Sequence, residues 1–315
     1  MDVVTVPAAP AMDVSVIVCT RNRREAVTRL LEQFEHLVVP TGLRWELIVV
    51  DNASTDDTAA MLASLRTSLP MRVVREGVPG LSRARNRGIA AARGDLLLFT
   101  DDDCLPDTRW LATVDDEFAR APMLDVLGGR VELFDARDRP TTTRTSLARR
   151  EITATVDVDA IIGCNMAFRR STLEAIGAFD IGLGGGTGAG AGEDVDFVYR
   201  SVRAGLRVAY SPDALVYHNH GRRTEAQVRA LGRAYTVARG AVFCKYLLAG
   251  DSGIGPRIRQ DLSNQMHALA ADVRAGRFPT RVVRHYYHIG AGAAYWVRHR
   301  LTKRRAGAAA QSRNR

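Results

Sequence analysis

Three consecutive carboxylates, Asp101, Asp102 and Asp103, stand directly after the apolar run 96–99. Four apolar residues in succession read as a strand buried on both faces, so the acids fall at its carboxyl end. Adjacent carboxylates repel and raise one another's pKa, which leaves two readings: a bound cation or a solvated turn. A second acidic pair, Glu193 and Asp194, follows a stretch with seven glycines in eleven residues, 182–192, and opens a segment with helical spacing at Val195, Val198 and Val202. Acids are favoured at a helix start by the dipole, so the pair is either a simple helix start or a general base presented to a substrate. The glycines carry too much backbone entropy for a helix or strand and predict a mobile loop that closes over that substrate. His218 and His220 lie two apart, share a face in an extended segment, and suit either one shared metal or an ordinary surface pair.

The elements that must position these groups alternate. Strand patterns at 14–20, 46–51, 71–75 and 96–99 are separated by amphipathic segments at 27–37, 58–69 and 81–92. Such alternation predicts an α/β fold with a mostly parallel, doubly wound sheet, whose ligands bind beyond the carboxyl ends of the strands. Those ends carry Thr20, Arg21 and Asn22, then Asp51, then Asp101 to Asp103. A helix at 107–120, a strand at 126–134, an apolar segment at 163–170, a short helix to Ile176 and a short strand at 208–213 follow. From Arg222 onward the pattern is helical, with further helices at 258–273 and 282–301. The first strand is not followed by Gly-x-Gly-x-x-Gly, and no Gly-x-x-x-x-Gly-Lys-Ser/Thr loop occurs, which argues against a dehydrogenase and a phosphate-loop enzyme.

With 46% hydrophobic residues, the 315-residue chain can bury one large α/β core and an appended segment. No run approaches the roughly 18 apolar residues of a spanning helix, and residues 1–12 lack the features of a signal peptide, so a cytoplasmic location is expected. Cys19, Cys104, Cys164 and Cys244 have no paired spacing and suggest neither a disulfide framework nor a zinc site. The net charge of +9 belongs to the end of the chain, because residues 262–315 hold eleven Lys and Arg against Asp272 alone. A nucleic-acid enzyme would concentrate positive charge at its cleft, where this chain places its acids. Residues 282–305 mix Tyr286, Tyr287, Tyr295 and Trp296 with arginines and lysine, which fits a basic anchor on an anionic membrane or a packed helix with a solvated basic end.

Taken in order, six motifs resemble the family 2 glycosyltransferases of the GT-A fold across residues 13–222. They are Val-Ile-Val-Cys-Thr-Arg-Asn-Arg (16–23), Val-Val-Asp-Asn-Ala-Ser-Thr-Asp (49–56), Gly-Leu-Ser-Arg-Ala-Arg-Asn-Arg-Gly (80–88), Phe-Thr-Asp-Asp-Asp-Cys (99–104), Gly-Glu-Asp-Val-Asp-Phe (192–197) and Tyr-His-Asn-His (217–220). The resemblance implies an inverting, metal-dependent transfer from a nucleoside-diphosphate sugar, a UDP-sugar in our reading, to an acceptor hydroxyl. It implies a donor pocket at Thr20, Arg21, Asn22, Asp51, Arg83, Asn86, Asp101 and Asp102. It assigns Mn²⁺ or Mg²⁺ to Asp103 and His218, with His220 the less secure match, the base to Asp194, and an orienting role to Glu193. No Gln-x-x-Arg-Trp motif follows the Glu-Asp pair, which favours transfer of a single sugar over polymerisation. The implied organisation is a flexible N-terminus (1–12), a catalytic domain (13–222) with a nucleotide-sugar half (13–104) and an acceptor half (105–222), a helical region (223–305) and a disordered basic tail (306–315). Competing readings are a sugar nucleotidyltransferase, disfavoured by the lack of glycine in residues 19–24, and a non-enzymatic membrane or nucleic-acid binder built on the basic terminal helix.

Overall fold

The computed structural model of the protein describes residues 12–313, with side chains to residue 305. All but Met12 of the expected flexible N-terminus lies outside the described residues. The first half alternates β1 (Met12–Thr20), α1 (Arg24–Phe34), β2 (Trp45–Asn52), α2 (Thr58–Ser64), β3 (Met71–Glu76), α3 (Leu81–Ala91) and β4 (Gly94–Asp101). The second half comprises β5 (Cys104–Pro106), α4 (Trp110–Arg120), β6 (Val126–Leu133), β7 (Arg150–Glu151), β8 (Asn165–Arg169), α5 (Thr172–Ile176), α6 (Glu193–Arg203) and β9 (Val208–His218). Three helices follow, α7 (Glu225–Leu248), α8 (Gly255–Arg274) and α9 (Thr280–Arg313).

One sheet runs through both halves in the order β3-β2-β1-β4-β8-β6-β9-β5, with β7 paired to β9. The expected parallel arrangement holds from β3 to β4. Beyond it, β8 runs antiparallel to both β4 and β6, and β9 is parallel to β6. An apolar run specifies burial but not direction, so this reversal was not readable from the pattern.

The apolar strands send alternate side chains to opposite faces. Ile17, Ile48, Leu97 and Phe99 fill one core, while Val16, Val18, Leu47 and Leu98 join Val27, Leu30 and Phe34 of α1 in the other. Each such side chain contributes about 1.5–3 kcal/mol by leaving water. The short strand expected at 208–213 continues to His218 as one strand, with a register shift opposite Gly129 and Arg130. Pro212, which has no N–H to donate, falls where that ladder is interrupted.

Glu46 knits the sheet edge together below the site. Its carboxylate accepts hydrogen bonds from Ser15 Oγ, Arg93 N and Arg72 Nε at 2.7, 2.7 and 2.9 Å. Burial alone would raise its pKa, but Arg72, Ser15 and Arg93 hold it at about 2. Because the folded-state pKa is depressed, this stabilisation is complete above the ordinary glutamate range and is lost as pH falls through about 2. Glu46→Gln should therefore destabilise the fold by about 3 kcal/mol at pH 7. In urea titrations the difference from the parent should shrink as pH is lowered from 5 towards 2; a constant difference would show that packing, not charge, is responsible.

Differences of extent are confined to element ends. Helix α2 stops at Ser64 rather than near residue 69, and α9 continues to Arg313, through most of the segment expected to be disordered. The four alanines in residues 306–310 are strong helix formers, and the Lys and Arg nearby do not interrupt a helix that is already nucleated. Helix α7 begins with a capping box between Thr224 and Gln227 and crosses α9 at close range. At that crossing a Cβ on Gly240 would lie 2.1 Å from Ile289 O, and one on Gly292 would lie 1.9 Å from Val237 O. The inner face of α9 packs on the body: Trp296 is buried, and Tyr295 Oη donates to Gly182 O at 2.8 Å. Val283, Tyr287 and Leu301 remain exposed on α9. Among the described residues no helix is long and apolar enough to cross a membrane.

Candidate active site

The strand ends converge on a cleft of about 400 Å³ lined by Thr20, Asp101, Asp102, Asp103, His218 and Arg222, among others. The three aspartates are not equivalent. Asp102 turns inward, where its carboxylate accepts from Thr20 Oγ1 at 2.7 Å and from Arg23 Nη1 at 2.9 Å. Burial raises its pKa to about 6, with Arg23 opposing. Asp103 accepts from Arg23 Nη1 at 2.7 Å, and its other oxygen is 3.4 Å from His218 Nε2. Burial would favour its neutral form, yet His218 and Arg23 hold it well below the usual carboxylate range. Burial likewise opposes charge on His218, and the hydrogen bond to Asp103 outweighs it, giving a pKa of about 9.

These groups fit a divalent cation. Arg23 supplies a positive charge shared by Asp102 and Asp103, which shows the electrostatic demand of the cluster, and a carboxylate beside an imidazole is a suitable donor set for Mn²⁺ or Mg²⁺. His220, which shared the sequence assignment, turns elsewhere: its Nδ1 accepts from Arg222 N at 2.9 Å and lies 3.4 Å from Asp138.

Asp51, next to last in β2, is a buried carboxylate behind the cleft wall, which its neighbour Asn52 lines. Its Oδ1 accepts from Ser54 N at 3.2 Å, while Oδ2 is buried with no protein partner. Arg222 Nη1 is also buried and unpartnered at the cleft. Such orphaned groups cost about 1–3 kcal/mol each unless a ligand satisfies them. Arg21 lines the cleft. Asn22 does not, because its side chain is engaged with the 51–58 turn, accepting from Thr55 N at 2.7 Å.

Two further expected donor residues also stand off the cleft wall. Asn86 donates to Phe179 O and accepts from Phe179 N, pinning the 177–180 segment as a neighbouring strand would. Arg83 is absent from the cleft wall and packs along Gly80 instead. The residue of α3 that enters the site is Arg85, one helical turn from Leu81 and on the buried face. It donates to Glu193 at 2.7 Å and to Asp101 at 3.2 Å, bridging the two acidic motifs. Arg85 could have been found from its spacing, since it shares a face with the buried Ser82 and Ile89.

Glu193 is therefore a buried partner of Arg85, with its pKa raised by burial and by the neighbouring charge of Asp194, against the pull of Arg85. Asp194 is differently placed. Its carboxylate accepts from Gly163 N at 2.9 Å and from Val195 N at 2.8 Å, and it lines both the cleft and a second cavity of about 350 Å³. Glycine at 163 leaves room for the Arg85 guanidinium, which a Cβ there would approach to 2.8 Å and push away from Glu193 and Asp101. The start of α6 is fixed from beneath by Phe197, packed on Phe168 and Phe179 at 4.6 and 4.8 Å between centroids. Asp196 ties the same turn to α7 through Lys245 and Tyr246 at 2.6 and 2.7 Å.

The glycine-rich stretch is folded rather than loose. Ser82 Oγ donates to Leu183 O at 2.7 Å, Leu81 N to Gly185 O at 2.9 Å, and Gly188 packs where a Cβ would strike Tyr295. Its glycines permit close approach, and Gly192 takes φ 94° so that the chain can turn into α6.

A profile of glycosyl transferase family 2 matches residues 15–177, just over half of the chain and all of the parallel half of the sheet. The chain belongs to that family. This family 2 member is 28% identical over 227 residues to the pre-mycofactocin glycosyltransferase of Mycobacterium tuberculosis, an alignment covering 68% of the chain and 44% of that relative. It is 28% identical over 211 residues to the succinoglycan biosynthesis protein ExoM of Rhizobium meliloti, covering 65% of the chain and 66% of the relative. The chain thus spans less than two thirds of the length of these relatives. Among solved structures, the mannosyltransferase PcManGT from Pyrobaculum calidifontis, in complex with GDP-Man and Mn²⁺, superposes with a TM-score of 0.59 at 20% identity, over 91% of this chain and 88% of that one. Staphylococcus aureus TarS 1–349 in complex with UDP-GlcNAc gives 0.57 at 18% identity, over 90% and 89%. The family 2 chain therefore has the GT-A fold, with C-terminal helices added to the sheet.

Proposed function

We propose that this family 2 protein transfers a single glycosyl residue from a nucleoside-diphosphate sugar, a UDP-sugar in our reading, to an acceptor hydroxyl with inversion. The observation that carries the proposal is the position of Asp194 as the one carboxylate, among the described residues, at the junction of two adjoining cavities, one lined by the aspartate cluster and the other extending to the helical region. The two sheet halves, 13–104 and 105–222, then serve donor and acceptor in turn.

On the donor side, the unpartnered Asp51 Oδ2 accepts from the nucleoside, and Arg222 offers its free N–H to the diphosphate. Thr20 and Asp102 hold each other in place beneath them. Asp103 and His218 would hold Mn²⁺ or Mg²⁺, which when bound offsets charge on the departing diphosphate. Support comes from the fold neighbours, whose structures contain GDP-Man with Mn²⁺ and UDP-GlcNAc. On the acceptor side, Asp194 removes the hydroxyl proton as the oxygen attacks the anomeric carbon from the face opposite the diphosphate. Arg85 and Glu193 keep α6 at the height where Asp194 meets both cavities.

The acceptor cavity is lined by Ile161, Val195, Val242 and Phe243 on one hand and by Arg144, Asp159, Arg239 and Arg257 on the other. This mixed lining suits an acceptor that carries both an apolar part and polar or anionic groups. Val242→Phe should fill this space, raising the acceptor KM roughly tenfold or more while nucleotide binding is unchanged. Equal loss of both would place the acceptor elsewhere.

The reading as a whole is tested by thermal melting with UDP- and GDP-sugars, each with and without Mn²⁺. A ligand at a hundred times its Kd stabilises by about 2.7 kcal/mol, and the increase should require both the sugar nucleotide and the metal. No shift with any sugar nucleotide would overturn it. A shift with guanosine but not uridine donors would reassign the base.

A further inference from the structure

Two buried thiols stand behind the donor cleft and have no part in the transfer reaction. Cys104 on β5 lies directly opposite His218 on β9 in the antiparallel ladder, so both side chains leave the sheet on the same face. Cys164, one residue before β8, reaches the same point. One ligand atom from each of Cys104, Cys164 and His218 lies within 4.8 Å of the other two. Asp103 Oδ1 lies beside this group of three, 4.0 Å from Cys104 Sγ and 3.4 Å from His218 Nε2, and would have to move towards Cys164 to become a fourth ligand. Cys104 and Cys164 are both free thiols.

A tetrahedral zinc ion with bonds of about 2.0–2.3 Å sets its ligand atoms about 3.3–3.8 Å apart. The separations among Cys104, Cys164 and His218 are at most about 1 Å longer than those values, a contraction that side-chain rotation can supply. His218 also has the kind of supporting contact that orients histidine ligands: Thr142 Oγ1 lies 3.1 Å from its Nδ1. The site is reachable, since Cys164, His218 and Asp103 all face the donor cleft. Two sulfurs, one imidazole and one carboxylate select a zinc-class ion, whereas the donor metal reading relies on oxygen ligands and one imidazole.

We propose that Cys104, Cys164, His218 and Asp103 form a binding site for Zn²⁺ or a similar thiophilic divalent ion. Binding expels the two thiol protons to solvent and forms two metal–thiolate bonds. Because Asp103 and His218 cannot serve two ions at once, occupation of this site excludes Mn²⁺ from the donor site. That exclusion rests on the donor-metal reading above, whereas the thiolate site itself does not.

The test uses the full chain, reduced with a phosphine and stripped of metal, titrated with Co²⁺. The expected result is a near-ultraviolet thiolate-to-cobalt charge-transfer band that saturates at one ion per chain and is abolished by equimolar Zn²⁺. Cys104→Ser/Cys164→Ser should lack the band, and Cys19→Ser/Cys244→Ser should retain it. If the first double variant fails to fold by near-ultraviolet circular dichroism, Cys104→Ala and Cys164→Ala singly should each weaken Co²⁺ binding more than tenfold. Absence of the band in the parent, or its survival without Cys104 and Cys164, overturns the site. Zn²⁺ should also cancel the Mn²⁺-dependent part of UDP-sugar binding in the parent but not in the Cys104→Ser/Cys164→Ser variant. A band accompanied by undisturbed Mn²⁺-dependent binding overturns the exclusion. A band in a chain that binds no sugar nucleotide leaves the thiolate site standing and removes the donor reading instead.

Discussion

Asp194→Asn is expected to lower glycosyl transfer about a thousandfold while Mn²⁺-dependent sugar-nucleotide binding stays within twofold of the parent. The two oxygens of Asp194 accept separately from Gly163 N and Val195 N, so the amide oxygen of Asn keeps one of these contacts, and Arg85, Glu193 and Phe197 still hold the start of α6. The substitution removes the capacity to take a proton from the acceptor hydroxyl together with one backbone hydrogen bond. The measurement is initial transfer rate beside calorimetric donor binding on the same preparation. Glu193→Gln offers the contrast. It weakens the contact with Arg85, leaves the proton acceptor in place, and should reduce transfer less while lowering the melting temperature. Transfer that survives in Asp194→Asn, or is lost more completely in Glu193→Gln, would exchange the roles of the two acids.

Asp103→Ala is the second large effect. Removing this carboxylate takes away the partner that keeps His218 protonated and half of the charge that Arg23 neutralises. The metal-dependent increment in sugar-nucleotide affinity should disappear, and transfer should fall at least a hundredfold. His218 gains stability from its raised pKa below the ordinary histidine range and loses it as pH rises through about 9. The parent should therefore lose stability more steeply than the variant as pH rises from the ordinary histidine range towards about 9, and the two should run parallel above it. Asp103→Asn, which preserves shape, separates charge from packing: it should share the loss of metal dependence with a smaller loss of stability. Retention of the Mn²⁺ effect in both variants would move the metal to Asp101.

The apolar runs of β1, β2 and β4 were legible because a strand buried on two faces admits few other compositions, and their polar ends announced a cleft. Asp51, Asp101 to Asp103, Asp194 and His218 were identifiable for the same reason: a carboxylate or imidazole at the end of a buried strand or the start of a helix has a fixed place along the chain. The partner of each group was not legible. Arg85 reaches Glu193 across 108 residues, and Arg23 reaches Asp102 and Asp103 across about eighty. Asn86, on the same helix, spends its amide on the backbone of Phe179 rather than facing the cleft. A helix pattern shows which residues face inward but not which loop lies opposite them.

The glycine-rich stretch illustrates the same boundary. Composition excluded regular structure there, yet whether the backbone would move or pack depended on Tyr295, more than a hundred residues later. The sequence by itself determined the alternation of strands and helices, the acids at the strand ends and the membership in glycosyl transferase family 2. Only the tertiary structure decided that β8 enters antiparallel, that Asp194 lies between two cavities, and that Cys104 and Cys164 meet at His218. Local composition encodes burial and backbone preference, whereas coincidence in space follows from strand order and from contacts between residues far apart in the chain.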